Sequence, residues 1–314
     1  MLVFACRRLG FAIPILLGVA VVVFLTIALI PGDPVALLAG AGASDQTKAA
    51  LTQRLGLDRA LPIQFWAWLT HALRGDFGIS ISQQRPVFGL VADAFGNTLI
   101  LALYATVLAV ALGLLLGGVA ARYPRSLPGR VTSALSSVSL SAPQYSVALI
   151  LIVYLALATG FFPVSGMHGF DGGGFIDLMW HGLLPALTAA LVPAGVIART
   201  FRSSLLEVLS MDFVEALRAR GLPGPRIAAH AVHNTLPALI TMTGLQIGYL
   251  LGGVVFVETI FAWPGIGLLL FQSISSRDLP VTQAGVLVCG VAFVLINIVV
   301  DMALAMIDSR VRTS

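Results

Sequence analysis

The stretch Thr98–Ala121, TLILALYATVLAVALGLLLGGVAA, decides the fold of this chain, because it contains no charged residue and is long enough to cross a bilayer. An α-helix needs about 20 apolar residues to span the hydrocarbon core. The stretch also lacks the polar–apolar alternation of a membrane β-barrel strand. Five other uncharged apolar runs flank it: Leu9–Ile30, Val138–Phe162, Gly182–Ala198, Pro237–Val257 and Val281–Val300. The sequence therefore predicts an all-α integral membrane protein with six transmembrane helices in a single transmembrane domain.

The composition of the whole chain excludes two broad classes of protein. Only 10% of the 314 residues are charged, 58% are apolar, and the mean hydropathy is +0.97. A soluble domain is about 25% charged, which excludes a water-soluble enzyme. The 18 basic residues stand in short, scattered groups, whereas a nucleic-acid-binding protein gathers them on one face. We therefore expect a lipid bilayer around this chain and no nucleic acid.

The arginine positions predict the orientation in the membrane, because cytoplasmic segments are enriched in basic residues. With the N-terminus inside, twelve of the 18 basic residues fall on the cytoplasmic side, including Arg7, Arg8 and the groups at 122–130 and 199–226. We predict a multi-pass membrane protein with both termini in the cytoplasm. The first apolar run is longer than the apolar region of a signal peptide, so we expect an uncleaved span.

Three segments between the spans have predictable character. Residues 31–97 form a sizeable extracytoplasmic segment, in which Asp45–Leu55 and the aromatic, amphipathic Pro62–Leu73 are predicted helices. Residues 260–271, IFAWPGIGLLLF, are apolar but too short to span, which indicates a re-entrant or interfacial segment on the outer side. On the inner side, 200–233 is predicted to be a long loop of mixed charge.

The sequence contains no pattern for nucleotide, metal or covalent chemistry. A phosphate-binding loop needs glycines followed by a lysine and a hydroxyl residue, and the single lysine, Lys48, has no such context. The pairs His230/His233 and His168/His181 are too few to predict a metal site. We therefore expect no catalytic residue, cofactor or metal in this chain, and any ATP and Mg²⁺ must be bound by another subunit.

Polar residues within or beside the spans are the candidates for lining a translocation path, because lone polar groups in lipid are costly. Helix–helix hydrogen bonds explain the same residues nearly as well, so both interpretations stay open. The candidates are Ser137, Ser141, Gln144, Tyr145, Gln246, Tyr249 and Asn297. Small residues at every fourth position, such as Gly113 and Gly117, favour close packing of helices.

The most specific feature of the sequence is MDFVEALRARGL at 211–222 on the inner side. Asp212 and Glu215 suit the positive N-terminal end of a short helix. Arg218 follows near its C-terminal end, and Gly221 can adopt the left-handed conformation that ends it. Such a helix, presented to the cytoplasm, is suited to binding in a groove of a partner protein.

This segment resembles the EAA loop of ABC-transporter permeases, in the branch that imports dipeptides, oligopeptides and nickel. Glu215, Ala216 and Gly221 match the loop, while Leu217 replaces its second alanine. Similarity to the branch extends along nearly the whole chain. It includes PGDP at 31–34, GDFG at 75–78, and an outer loop after span five that carries Glu258, Trp263, Pro264 and Gly265.

The resemblance implies a type I importer permease fold in the bacterial cytoplasmic (inner) membrane. It also implies a channel-forming subunit that imports peptides or similar small solutes by alternating access. Implied partners are a second homologous permease, two cytoplasmic ATPase subunits and an extracytoplasmic solute-binding protein. The resemblance also implies that Asp212, Glu215, Ala216, Arg218 and Gly221 couple to the ATPase and that the outer loop acts as a gate. Two alternatives are an ion-coupled carrier acting alone and a membrane-embedded enzyme. Both are disfavoured because the spans lack mid-membrane ionisable residues.

Overall fold

The computed structural model describes residues 2–28, 44, 46, 52–53, 58–169 and 172–307. These residues are mostly helical, and their only extended pairing is an isolated antiparallel bridge between Ile79 and Pro86. The all-α prediction is therefore confirmed. The helices are α1 (Leu2–Ala28), α2 (Leu61–Leu73), α3 (Val87–Arg122), α4 (Leu127–Ser141), α5 (Gln144–Leu151, continued by the π-helix Ile152–Leu157), α6 (Phe175–Leu209), α7 (Asp212–Ala219), α8 (Gly224–Ile260), α9 (Ile266–Ser275) and α10 (Leu279–Ile307).

Three helices among the described residues are long and apolar enough to cross a membrane, namely α3, α6 and α10 up to Met302. The number rises to five if each of two bent helix pairs is one span. The count of six stays a prediction. The predicted helix Asp45–Leu55 lies almost entirely outside the described residues, whereas the one predicted at 62–73 is confirmed as α2.

The third predicted span is not one straight helix. The chain bends by 112° between α4 and α5, at Ala142–Pro143. Because the proline ring disfavours helical geometry in the preceding residue, Ala142 is extended, with φ −75° and ψ 126°. Within the predicted range 138–162, residues 138–141 thus belong to α4, and α5 with its π-helical extension covers 144–157.

The fourth predicted span, 182–198, is the middle of a longer helix, α6. The most apolar 18-residue stretch of α6 is 67% buried, whereas the corresponding stretches of α3 and α10 are 28% buried. Pro185 and Pro193 are both buried inside this helix. Gly113 and Gly117 of α3 allow α6 to approach closely, since a Cβ on Gly117 would lie 2.5 Å from the carbonyl oxygen of Ala198. The small residues of α3 therefore serve packing within the chain.

The chain forms two compact units. The larger unit comprises 1–8, 96–268 and 295–314, and its core is built from α3, α5, α6 and α8, with Trp263 and Phe261 fully buried. The smaller unit comprises 9–95 and 269–294. In it, the rings of Phe24, Phe65 and Trp68 cluster between α1 and α2.

Candidate functional site

The short helix α7 has the local structure that its sequence predicts. Met211 precedes it in an extended conformation, and both acidic residues, Asp212 and Glu215, lie in its first turn. Gly221 follows the helix with φ +74°. Its N–H donates to the carbonyl of Arg218 at 2.9 Å, and Leu222 N–H donates to the carbonyl of Leu217 at 3.2 Å. These two bonds form a Schellman motif, so the predicted helix stop is confirmed.

Val214 packs α7 against the rest of the larger unit, Leu217 is half-buried, and the remaining side chains of the helix are exposed. Val214 is 1% exposed, whereas the five residues predicted to contact an ATPase are all exposed, together with Met211 and Phe213. Within the part of the chain that the structure describes, the carboxylates of Asp212 and Glu215 form no ion pair. The helix therefore presents a surface of apolar and charged side chains that no described residue covers.

The inner-side segment 200–233 is mostly helical, and it includes the short helix predicted within 211–222. Residues up to Leu209 continue α6, and α8 begins at Gly224 after an extended Pro223. Pro225 lies in the first turn of α8, where a proline is tolerated because the N–H that it lacks would have no partner within the helix. As a result, α7 stands between two long helices that both enter the larger unit, α6 before it and α8 after it.

The structure brings together only part of the predicted polar path. The Gln144 side-chain oxygen lies 3.9 Å from the position of a Cβ on Gly253, beside the ring of Tyr249. Ser137 and Ser141 are exposed on α4, and their hydroxyls donate to carbonyls of their own helix at 3.1 and 3.2 Å. Tyr145 is 60% exposed on α5. Gln246 and Asn297 are half-buried on α8 and α10.

The outer turn, residues 258–267, is organised around one buried carboxylate. Glu258 is 0% exposed at the end of α8. Its Oε1 accepts a hydrogen bond from the hydroxyl of Thr98 at 2.7 Å, and its Oε2 accepts one from the N–H of Gly267 at 2.7 Å. The Thr98 hydroxyl in turn accepts the N–H of Ile266 at 2.8 Å. The carboxylate and the hydroxyl thus cap the first turn of α9, where free N–H groups and the helix dipole favour an acceptor.

Two further contacts close the outer turn. The indole N–H of Trp263 donates to the carbonyl of Asn97 at 3.0 Å, and the Asn97 amide donates to the carbonyl of Pro264 at 2.9 Å. Gly166, in the loop before α6, donates its N–H to the carbonyl of Phe261 at 2.8 Å. All four residues predicted for the outer gate, Glu258, Trp263, Pro264 and Gly265, therefore lie in one bonded structure.

Sequence reasoning missed Thr98 and Asn97 as members of this structure. Thr98 is 160 positions from Glu258, and a threonine at the start of an apolar run is an ordinary helix residue. The only available signal was the acidic residue itself, since a carboxylate beside a span needs partners.

A second buried carboxylate, also missed, belongs to the smaller unit. Asp278 is 1% exposed between α9 and α10. Its Oδ2 accepts hydrogen bonds from the hydroxyls of Ser80 and Ser82 and from the backbone N–H of Ser82. Burial alone raises the pKa of Asp278, but these hydrogen bonds outweigh it and hold that pKa below its ordinary value. Asp278 therefore stays ionised as it fastens the 80–82 loop.

The histidine pairs do not assemble a metal site among the described residues. His168 and His181 each place Nδ1 within 3.2 Å of a carboxylate oxygen of Asp177. Asp177 also accepts the N–H of Gly169 at 3.0 Å. This cluster folds the loop before α6 onto the start of that helix.

Comparison with known proteins gives matches over almost the whole length. A family model described as "Binding-protein-dependent transport system inner membrane component" matches residues 113–313. A second, "Binding-prot-dependent transport system membrane comp, N-term", matches residues 1–102. The glutathione transport system permease protein GsiC of Salmonella typhi is 40% identical over 313 residues, covering 99% of both chains. The GsiC protein of Escherichia coli (strain K12) is 38% identical with the same coverage.

The fold has a solved counterpart as well. A chain in the inward-facing structure of the MetNI methionine ABC transporter superposes with a TM-score of 0.55 at 19% identity. The match covers 70% of the present chain and 96% of the other. At this identity the likeness concerns the fold alone.

Proposed function

Because this chain belongs to the binding-protein-dependent transport system inner membrane components, the permeases of ABC importers, we propose that it pairs with a second, homologous permease. The two chains would enclose the translocation path between them. Two cytoplasmic ATPase subunits and an extracytoplasmic solute-binding protein would complete the complex. The chain itself would catalyse no reaction and bind no cofactor, with ATP and Mg²⁺ held by the ATPases.

The observation that carries the proposal is the exposed surface of α7. A buried anchor, Val214, fixes the helix, and the Schellman motif at Gly221 fixes its end. Exposed carboxylates of Asp212 and Glu215 lie beside exposed Met211 and Phe213. Interfaces combine apolar anchors with charge complementarity in this way. In the proposed cycle, closure of the ATPases moves α7 and opens the spans outward to receive solute.

Recovery of the ATPase with variants of α7 tests this proposal. Glu215→Ala removes a carboxylate from the contact, and Gly221→Asp strains the left-handed position and puts a negative charge at the helix's negative end. We expect ATPase recovery in a pull-down to fall about tenfold, the factor for a lost hydrogen bond to a charged group. Uptake should be abolished.

The matched control is Arg130→Ala, at an exposed residue of α4 on the side predicted to be cytoplasmic. Its ATPase recovery and uptake should equal those of the unmodified chain. Normal recovery and uptake with Gly221→Asp would contradict the assignment of α7 as the coupling helix.

The solute proposed for this importer is glutathione or another short peptide. The relatives that match over 99% of their length are named for glutathione transport. Uncharged groups near the bend between α4 and α5, such as the amide of Gln144 and the hydroxyl of Tyr249, offer both donors and acceptors to peptide groups. Uptake of labelled glutathione into cells with the complete complex, competed by dipeptides or by methionine, would separate these solutes.

The proposed orientation places both termini and α7 in the cytoplasm. We replace Cys6 and Cys289 by serine and introduce one cysteine at Ser126, between α3 and α4, or at the exposed Gln83. An impermeant thiol reagent should label intact cells at position 83 and leave position 126 unlabelled. The opposite pattern would reverse the topology.

A further inference from the structure

The buried carboxylate of Glu258 joins parts of the chain that are far apart in sequence. Glu258 lies in the last turn of α8. Its carboxylate accepts one hydrogen bond from the hydroxyl of Thr98 in α3 and another from the N–H of Gly267 in α9. Thr98 adds a direct bond to Ile266 of α9. A buried carboxyl group is tolerated only when its hydrogen-bonding capacity is met. Here both carboxylate oxygens are bonded, and each bond reaches a different helix.

The backbone of the outer turn is shaped to fit this carboxylate. A Cβ on Gly265 would lie 2.1 Å from Oε1 of Glu258, and a Cβ on Gly267 would lie 2.5 Å from Cα of Val255. No ordinary residue other than glycine leaves room for the carboxylate at these two positions. The glycines of the turn and the acid therefore form one arrangement.

Helix α8 connects this arrangement to the inner side of the molecule. It begins at Gly224, three residues after the glycine that ends α7, and continues to Ile260 with a 50° bend between Leu250 and Gly252. Displacement of α7 therefore acts on the first turn of α8, and the far end of that helix carries Glu258.

We propose that Glu258 is a positioning residue that ties the last turn of α8 to Thr98 of α3 and to the first turn of α9 (Ile266 and Gly267), so that movement of α8 displaces these groups together. The inference rests on the proposed function, because it needs an ATPase acting on α7. It adds that the solute-binding protein, which would contact the outer side, and the ATPases communicate through this tie. Loss of the tie should leave the two ends working but uncoupled.

The test uses the complete complex, with partner permease and ATPases, in lipid nanodiscs. Glu258→Gln keeps the size of the side chain but places an amide where the carboxylate accepts two donors. Thr98→Val keeps the shape of the threonine and removes the hydroxyl that bonds both Glu258 and Ile266. Thr98→Ser restores that hydroxyl. Thr106→Val is the matched control on the same helix, because the hydroxyl of Thr106 bonds only the carbonyl of Ala102 within α3.

The readout is ATP hydrolysis with and without solute-loaded binding protein. We expect Glu258→Gln and Thr98→Val to assemble, to keep basal hydrolysis, and to lose about tenfold in stimulation, the factor for the loss of one buried hydrogen bond. Thr98→Ser and Thr106→Val should be stimulated like the unmodified complex.

Three results would overturn the inference. The first is normal stimulation in both Glu258→Gln and Thr98→Val. The second is a fall of basal and stimulated rates in equal proportion. The third is failure of both variants to assemble, as expected for a group needed only for folding. If the unmodified complex were not stimulated, the proposed function would fail as well. Normal stimulation of the unmodified complex and of both variants would remove the inference alone.

Discussion

The outer turn around Glu258 and the helix α7 both carry acidic residues in a mainly apolar chain, but the carboxyl group is buried in the first region and exposed in the second. Glu258 is fully buried and bonded through both oxygens to groups of the same chain. Asp212 and Glu215 are exposed and form no ion pair with any described residue. The first region is complete within the chain, whereas the second has an open surface.

The difference separates what a membrane subunit does for itself from what it offers to a partner. A buried, bonded carboxylate fixes backbone segments, and its loss leaves donors without acceptors. Exposed carboxylates contribute little to stability on their own. Substitutions at the outer turn should therefore lower stability or weaken coupling, while substitutions on α7 should mainly weaken binding of the partner.

Gly265→Ala should give the largest loss of stability among these variants. A smaller loss would contradict the contrast between the buried and the exposed carboxyl groups. The added Cβ would lie 2.1 Å from the Glu258 carboxylate, so the tie must distort. We expect a loss of about 3 kcal/mol in stability, as for an overpacked core, seen as a lower Tm of the purified chain. Gly96→Ala is the control, because a Cβ on Gly96 meets nothing within 4 Å. Equal Tm values for both variants would contradict the described packing.

Asp278 is a second buried and hydrogen-bonded carboxylate, in the smaller unit, and it allows the same test there. Removing this acceptor with Asp278→Ala leaves the Ser80 and Ser82 hydroxyls without their partner, at a cost of about 2 kcal/mol. Because the folded pKa lies below its ordinary value, the stabilisation is present above about pH 4 and is lost as the pH falls through the folded pKa. The unmodified chain should thus lose Tm on acidification more steeply than Asp278→Ala. Parallel pH profiles would count against this role, and the exposed Asp93→Asn serves as control.

Substitutions at Gly221 should give the smallest change in stability, and they test whether α7 is as exposed as the structure describes. A Cβ there meets nothing within 4 Å, but its φ is +74°. Gly221→Ala should therefore cost about 1 kcal/mol from conformation alone, and Gly221→Asn less, since asparagine tolerates this region. Thermal unfolding of both variants measures the difference. A loss as large as that of Gly265→Ala would show that α7 is more tightly packed than described.

The sequence predicts local features of this molecule better than long-range ones. The start of α7, its acidic first turn and the left-handed Gly221 follow from neighbouring residues, and the structure agrees. The partners of Glu258 do not follow, because Thr98 is 160 positions away and its pairing depends on how α3 packs against α8. Hydrophobicity likewise predicts that 138–162 enters the membrane but ignores Pro143, where the helix breaks.

The serines of α4 also show that spacing in the sequence does not determine the role of a side chain. Ser137 and Ser141 have the spacing of a polar stripe, but a hydroxyl in a helix can satisfy itself on the carbonyl four residues earlier. The structure contains those bonds. Sequence spacing therefore identifies the face on which these residues lie, while the role of that face as a translocation path stays a prediction.

The most direct test of the central claim, that α7 is the surface on which an ATPase acts, is site-specific photocrosslinking. A photoreactive residue replaces the exposed Ala216 of α7 in the assembled complex, and in a parallel sample it replaces the exposed Arg130 of α4. We expect irradiation to yield a covalent adduct of permease and ATPase from position 216 and none from position 130. An absent adduct at 216, or equal adducts at both positions, would contradict the account.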